Sequence, residues 1–178
     1  MNFKNFILAL VTSSIWGSSF LMIKYSLEEL NPSDIAIYRI LIGALFINIF
    51  VRAKENIIKT DNVKIFIISF FWMALPFYMF GIAEQTITSS LAGLINGSTP
   101  IFVAFIAVIF YKLKVTKIQI LYIFTGFIGV GLISLSEGIS DLSFDIGFIY
   151  ALIASISYGI AVNTVSYTHL TLPTIDPV

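Results

Sequence analysis

The sequence predicts an all-α protein, a polytopic helix bundle that spans a lipid bilayer. Hydrophobic residues make up 58% of the chain and charged residues only 11%, and the mean hydropathy is +0.97. Charged residues are normally about a quarter of a soluble domain, so this composition is typical of a membrane protein. Six apolar stretches follow one another with short polar links between them, and a helix of about 20 residues crosses a hydrocarbon core of ~30 Å.

The same composition excludes several classes of protein. The chain has no net charge and no basic run interleaved with aromatic residues, so nucleic acid is not an expected partner. It has no cysteine, and its single histidine, His169, has no second histidine with which to bind a metal, so we expect neither a metal site nor a cofactor. An enzyme is not expected either, because no Asp or Glu lies inside a predicted span.

The first predicted helix covers residues 6–26. Lys4 and the uncharged run over residues 5–23 resemble a signal peptide, but the run has no small-x-small cleavage site and further spans follow it. We therefore expect a retained helix. Small residues four positions apart, such as Ser13 and Gly17, would allow another helix to approach closely.

The second predicted helix covers residues 35–51, after a turn that contains Pro32, and it carries Arg39 near its outer end. An arginine at the centre of the bilayer would cost several kcal/mol, but one turn inside the boundary it can reach the interface or an acidic partner. The favoured interpretation is a structural ion pair, and the alternative is a role in a solute site. The acidic candidates are Glu28, Glu29, Asp34 and Glu84.

The third predicted helix covers residues 65–83 and contains Trp72, Pro76 and Tyr78. Pro76 has no N–H with which to bond the carbonyl of Trp72, so the sequence predicts a break near the middle of this span. Trp72 and Tyr78 are candidates for the wall of a solute pathway. The alternative is that both are lipid-facing or packing aromatics.

The fourth predicted helix covers residues 89–111 and has a polar, helix-breaking group near its middle. Pro100 cannot donate to the carbonyl of Asn96, so a bare acceptor is expected close to the bilayer midplane. One interpretation is a packed kink, in which Gly93 and Gly97 allow close helix contact. The other is a broken helix that offers carbonyls and side chains to a solute, as secondary transporters often do.

Two consecutive proline-broken spans favour the solute pathway. Such breaks are common singly in membrane helices, whereas an antiparallel pair that also contains polar side chains is typical of transporter sites. The candidate pathway residues are Trp16, Ser19, Arg39, Trp72, Tyr78, Asn96, Thr99 and Pro100.

The fifth predicted helix runs to residue 136 and the sixth covers residues 146–165. Thr116 and Gln119 are spaced as a capping box, in which each side chain bonds the backbone N–H of the other residue. Gly126 is one of three glycines in the fifth helix that we interpret as packing surface.

The distribution of charge predicts the orientation in the membrane. Eight of the ten basic residues lie at the N-terminus or in the second-to-third and fourth-to-fifth connections, and acidic residues occupy the other connections. By the positive-inside rule the N-terminus is cytoplasmic, in a cell membrane that we expect to be a bacterial inner membrane.

The sixth helix repeats part of the first. Residues 148–152 align with residues 6–10 without a gap, and the match continues at Ser155 with Ser13, Tyr158 with Trp16 and Gly159 with Gly17. Because five helices separate the two starts, the second copy would enter the membrane from the opposite face. This is the inverted-repeat architecture of many transporters.

Four groups of residues share their order and spacing with one family: Trp16-Gly17-Ser18-Ser19-Phe20, Pro32 followed by Arg39, Ala92 to Pro100, and Gly126-x-x-Gly129-Val130. The chain therefore resembles the EamA-type transporters of the drug/metabolite transporter superfamily. The resemblance covers residues 6–136 as one five-helix repeat and residues 146–165 as the first helix of a second. It implies ten helices in two inverted halves, and transport, with export favoured, of a small metabolite such as an amino acid or a related compound. Where members commonly place Gly-Glu after the fourth helix, this chain has Tyr111-Lys112.

The last residues, 166–178, leave the membrane pattern and resemble a translated sequencing adapter. A truncated chain is the resulting expectation, with its broken helices facing lipid unless a missing second repeat or a second copy covers them. The alternative function is a non-transporting fragment or scaffold subunit.

Overall fold

The computed structural model describes residues 2–50, 62–112, 116–136 and 146–170. Three predicted segments lie wholly or partly outside the described residues: the basic loop at 52–64, of which only 62–64 are described, the acidic loop at 137–145, and the end of the tail at 171–178. Within the described ranges every regular element is helical, so the all-α prediction is confirmed. The elements are α1 (Phe3–Ser26), α2 (Pro32–Phe50), α3 (Asn62–Ser69), a π-helical turn (Phe70–Ala74), α4 (Leu75–Ala83), α5 (Ser89–Gly97), α6 (Thr99–Tyr111), α7 (Lys117–Ser136) and α8 (Ile146–Leu170).

Five stretches of the described chain are long and apolar enough to cross a membrane. They coincide with five of the six predicted spans, and α7 occupies the place of the remaining one. These stretches are Phe3–Ser26, Pro32–Phe50, Ile65–Ala83, Ser89–Tyr111 and Ile146–Val165. The chain is therefore a multi-pass membrane protein.

Helix ends differ from the predictions by a few residues. α2 begins at Pro32 rather than residue 35, because proline suits the first turn, where its missing N–H has no intrahelical acceptor. α8 continues to Leu170, five residues past its predicted end and into the predicted tail. The predicted capping box is confirmed: Gln119 N–H donates to the Thr116 hydroxyl at 3.3 Å, and Thr116 N–H donates to Gln119 Oε1 at 2.8 Å.

Pro76 is accommodated by a wide turn rather than by a sharp break. The preceding five residues form the π-helical turn, in which Leu75 N–H donates to the carbonyl of Phe70, five residues back. A proline ring clashes with the carbonyl four residues before it, and a π turn shifts that register. The third span therefore continues across Pro76, which lies at the start of α4.

The fourth span is broken at Ser98, as Pro100 predicts. α5 ends at Gly97 and α6 begins at Thr99, and Ile101 N–H donates only three residues back, to the Ser98 carbonyl, at 2.9 Å. Pro100 falls in the first turn of α6, where a missing N–H leaves no gap in the helical bonding. The break thus produces two short helices that meet inside one membrane span.

α8 lies at the centre of the described bundle. It packs against α4, α6, α5 and the π-helical turn. Half of its hydrophobic membrane-spanning stretch is buried in the bundle, compared with 11% for α1. α8 therefore covers part of both broken spans, although only 17% of the third span and 22% of the fourth are buried, so most of each span still faces outward as expected. Ala151 and Ala154 of α8 are completely buried in a core that also contains Phe20 and Phe80, whose rings meet edge to face at 5.2 Å.

The glycines differ in what surrounds them. A Cβ on Gly159 would lie 2.9 Å from Ile106 Cδ1 and 3.2 Å from the Phe102 carbonyl carbon, so this glycine permits close approach of α8 to α6. A Cβ on Gly17 or Gly97 would meet nothing within 4 Å. The predicted close helix contacts at Gly17 and Gly97 are therefore absent from the described part of the chain.

Candidate functional site

A cavity of about 910 Å³ opens between α1, α2, the third span, the broken fourth span and α8. It lies at the level of the break between α5 and α6, since Gly97 and Thr99 both line it. Its walls are formed by Thr12, Ile15, Trp16, Ser19, Arg39, Trp72, Met73, Phe77, Asn96, Gly97, Thr99, Pro100, Val103, Ala104, Tyr158 and Val162.

Most of the predicted pathway residues lie together in this cavity. The structure places there Trp16, Ser19, Arg39, Trp72, Asn96, Thr99 and Pro100. Tyr78 is not among the lining residues and is 40% exposed on α4. The preceding residue, Phe77, faces the cavity, and a rotation of ~100° per helical residue carries Tyr78 away from it.

The helix break supplies polar groups to the cavity wall. The Thr99 hydroxyl oxygen is buried and has no hydrogen-bond partner among the described residues. The hydroxyl of the neighbouring Ser98 already has a hydrogen-bond partner, because it donates to the Ile95 carbonyl at 2.5 Å. No atom lies within 4 Å of a Cβ built on Gly97, so its backbone is open to the cavity. This open space agrees better with a site for a solute than with the predicted packing contact.

Two side chains of α8 support the backbone on either side of the break. The Ser155 hydroxyl donates to the Ile95 carbonyl at 3.1 Å, and the Asn163 amide donates to the Val103 carbonyl at 2.9 Å. Polar groups at membrane depth must find partners within the protein. Donors from α8 therefore help to satisfy the carbonyls of the broken span.

Arg39 contributes a positive charge to the cavity. Its guanidinium carbon lies 4.1 Å from the centre of the Phe77 ring, a cation–π contact. Among the described residues Arg39 has no salt-bridge contact with the predicted acidic partners, although its charge still acts on one of them, Glu84. The aromatic face satisfies the cation without neutralising it.

Aromatic side chains from three elements form the rest of the wall. Trp72 and Tyr158 meet edge to face with ring centres 6.4 Å apart, and Tyr158 stacks on Phe80 at the same separation. Tyr158 was not among the predicted pathway residues, although the alignment of α8 with α1 pairs it with Trp16. Because Trp16 also lines the cavity, that alignment could have identified Tyr158.

Glu84 lies just past the C-terminal end of α4 and is completely buried. Its Oε2 accepts a hydrogen bond from the Ser89 hydroxyl at 2.9 Å, and its Oε1 has no partner among the described residues. The ammonium of Lys24 donates to the backbone carbonyls of Glu84 and Ile87, at 2.5 and 3.2 Å. Burial raises the pKa of Glu84 to about 7, against the lowering effects of the Ser89 bond and of the charges on Lys24 and Arg39.

The cavity combines flat aromatic walls, a cation and a few hydrogen-bonding groups. Such a combination suits a small amphipathic molecule, in which an apolar body packs on the rings and a polar end reaches fixed partners. No group of three or more His, Asp or Glu side chains suited to a metal occurs among the residues that the structure describes.

Comparison with known proteins gives a consistent set of relatives. A profile of the EamA-like transporter family matches residues 4–135. An uncharacterized transporter of Archaeoglobus fulgidus is 29% identical over 131 residues, which are 74% of this chain and 48% of that protein. The uncharacterized transporter YdfC of Bacillus subtilis is 28% identical over 149 residues, which are 82% of this chain and 48% of that protein. The chain spans about half the length of the curated relatives it matches, and no solved structure matches it.

Proposed function

Since the chain belongs to the EamA-like transporter family, we propose that the cavity at the α5–α6 break is the solute site of a carrier that exports a small metabolite, such as an amino acid or a related compound. The main support is the position of the cavity. It lies where the fourth span is interrupted, and the interruption brings Asn96, Thr99 and open backbone at Gly97 to a single wall. Broken helices of this kind hold solutes in many secondary transporters.

The exposed faces of α1 and α2 indicate what completes the site. Trp16 is 56% exposed although it lines the cavity, and nothing lies within 4 Å of a Cβ on Gly17. We propose that a second five-helix unit, from a second repeat or a second copy of this chain, packs against this side. Two such units would allow alternating access around a shared site near the midplane.

An export assay with paired variants tests the proposal. Cells that express the protein are compared with control cells for the metabolites that accumulate in the medium, by mass spectrometry. Asn96→Leu removes a polar cavity group and should abolish export at near-normal membrane abundance. Leu94→Ala removes partly buried packing next to the core and should lower abundance more than export per molecule.

The opposite pattern would contradict the assignment. If Asn96→Leu lost the protein from the membrane while export per remaining molecule stayed normal, Asn96 would be a structural hydrogen-bonding residue. Bonds of that kind contribute about 0.5–2 kcal/mol between membrane helices.

A further inference from the structure

Arg39 is a charged group in the cavity wall, and no acidic side chain lies in salt-bridge contact with it in the part of the chain that the structure describes. Its guanidinium lies against the Phe77 ring and forms no ion pair with any described acidic residue. Charged side chains at membrane depth are expensive and usually pair with an opposite charge or face a water-filled cavity. The cavity at Arg39 is therefore suited to an anionic group of a bound solute.

Glu84 lies on the same side of α4 as Phe77. The two residues are seven positions apart, which is about two helical turns. They therefore lie on nearly the same face of the helix, about 10 Å apart along its axis. Glu84 Oε1 is buried with no partner among the described residues, so this carboxyl group is incompletely satisfied. The charge of Arg39 acts on it, since that charge lowers the pKa of Glu84.

Besides Arg39, α2 carries Asp34 in its first turn, and the other elements packed around Glu84 carry few charges. α1 contributes Lys24, whose ammonium bonds two backbone carbonyls, and α5 contributes the neutral donor Ser89. The described span of α8 over residues 146–165 has no Asp, Glu, Lys or Arg, and its titratable groups there are Tyr150 and Tyr158. Arg39 is thus one of two cations that favour the ionised form of Glu84.

Neutralising Arg39 would change the protonation of Glu84. An anion bound to the guanidinium offsets the positive charge that favours the carboxylate, so Glu84 would bind a proton more readily. By thermodynamic linkage the reverse also holds, and a proton on Glu84 strengthens binding of the anion at Arg39.

We propose that Arg39 is the subsite for the carboxylate of the solute and that Glu84 takes up a proton when that carboxylate binds. The inference rests on the proposed function, since it names the class of solute that the same cavity holds. The step is a binding equilibrium in which one anion and one proton enter together, so that the net charge of the site is unchanged.

Tryptophan fluorescence measures this binding directly. The chain contains two tryptophans, Trp16 and Trp72, and both line the cavity. The purified full chain in lipid nanodiscs is titrated with small carboxylates that carry no amino group, including 4-methylpentanoate and succinate, with their neutral amides and with inorganic phosphate. We expect carboxylates to bind at least about fivefold more tightly at pH 6 than at pH 8, and the neutral amides to show no such change.

Variants separate the two roles. Arg39→Gln should abolish the preference for carboxylates, whereas Arg39→Lys, which keeps the charge, should retain most of it. Glu84→Gln should remove the pH dependence and leave the tight binding in place at both pH values. Glu28→Gln alters an exposed acid outside the cavity and should leave both properties unchanged.

The outcomes distinguish failure of this inference from failure of the proposed function. Binding of amides and carboxylates that is equal, independent of pH and lost in Asn96→Leu would overturn the role of Arg39 and Glu84 while the cavity remained a solute site. Absence of binding by every probe would count against both. Preference for phosphate over every carboxylate would overturn the carboxylate assignment.

Discussion

The side-chain amide of Asn163 on α8 lies 2.9 Å from the carbonyl oxygen of Val103 on α6 and 2.8 Å from the carbonyl oxygen of Gly159 in its own helix. One residue therefore bonds both its own helix and the broken span beside it. Asn163 is buried, so water cannot replace either acceptor at low cost.

Replacing Asn163 by leucine should destabilise the bundle. We expect a loss of about 0.5–2 kcal/mol in the free energy of unfolding, the range for polar contacts between membrane helices, measured by denaturant unfolding in detergent micelles. Asn48→Leu is the matched control, because Asn48 donates to the Ala44 carbonyl of its own helix and is exposed. Equal losses in the two variants would show that the contact with α6 contributes nothing.

Gly159 and Gly17 occupy matching positions in the alignment of α8 with α1 and should respond differently to alanine. An added Cβ at Gly159 meets Ile106 and the backbone of Phe102, whereas at Gly17 it meets open space. Alanine raises the helix propensity equally at both positions, so the difference in unfolding free energy between the two variants measures the steric cost. We expect Gly159→Ala to be less stable than Gly17→Ala by about 1–3 kcal/mol. Thermal unfolding of both variants in micelles measures it, and equal stabilities would place α8 farther from α6.

The stability of the chain should fall as the pH rises. The pKa of Glu84 is about 7 in the folded chain and near 4.5 for a free carboxyl group, so the folded state holds the proton more tightly. Its contribution is complete below about pH 4.5 and is lost as the pH rises through about 7. Melting temperatures at pH 5 and pH 8 should therefore differ in the wild-type chain. Glu84→Gln should remove much of this difference in melting temperature. If the full difference persisted in the variant, other titratable groups would be responsible for it.

The orientation can be tested with single cysteines, because the natural chain has none. The positive-inside rule predicts that Cys at Glu29 is labelled by an impermeant maleimide from outside the cell and that Cys at Lys112 is labelled only after permeabilisation. Both positions are exposed. Labelling of Lys112→Cys in intact cells would reverse the predicted topology.

The spans and the break at Pro100 were predictable because they depend on local chemistry. Hydropathy identifies a membrane helix from about 20 consecutive residues, and proline removes a particular donor wherever the helix lies. The cavity residues Asn96, Thr99 and Pro100 followed from the break in the fourth span. The lining aromatic Tyr158 was missed because apolar helices give little sign of which face they bury.

Charged residues were the least predictable. Arg39 was expected to pair with an acid, but its contact with Phe77 depends on how α2 packs against α4. Glu84 was expected in an outer link, yet it is buried beneath neighbouring helices. Sequence gives the depth of such a residue, whereas its partners are set by tertiary packing.

The central position of α8 has a consequence for biosynthesis. The hydrogen bonds from Ser155 and Asn163 of α8 to the broken span each join residues that are 60 positions apart. At translation rates of 5–20 residues per second, roughly 3–12 s pass between synthesis of the acceptors and synthesis of their donors. During that interval the α5–α6 break lacks these two hydrogen bonds. The core around the α5–α6 break is therefore completed only when α8 has been synthesised and inserted.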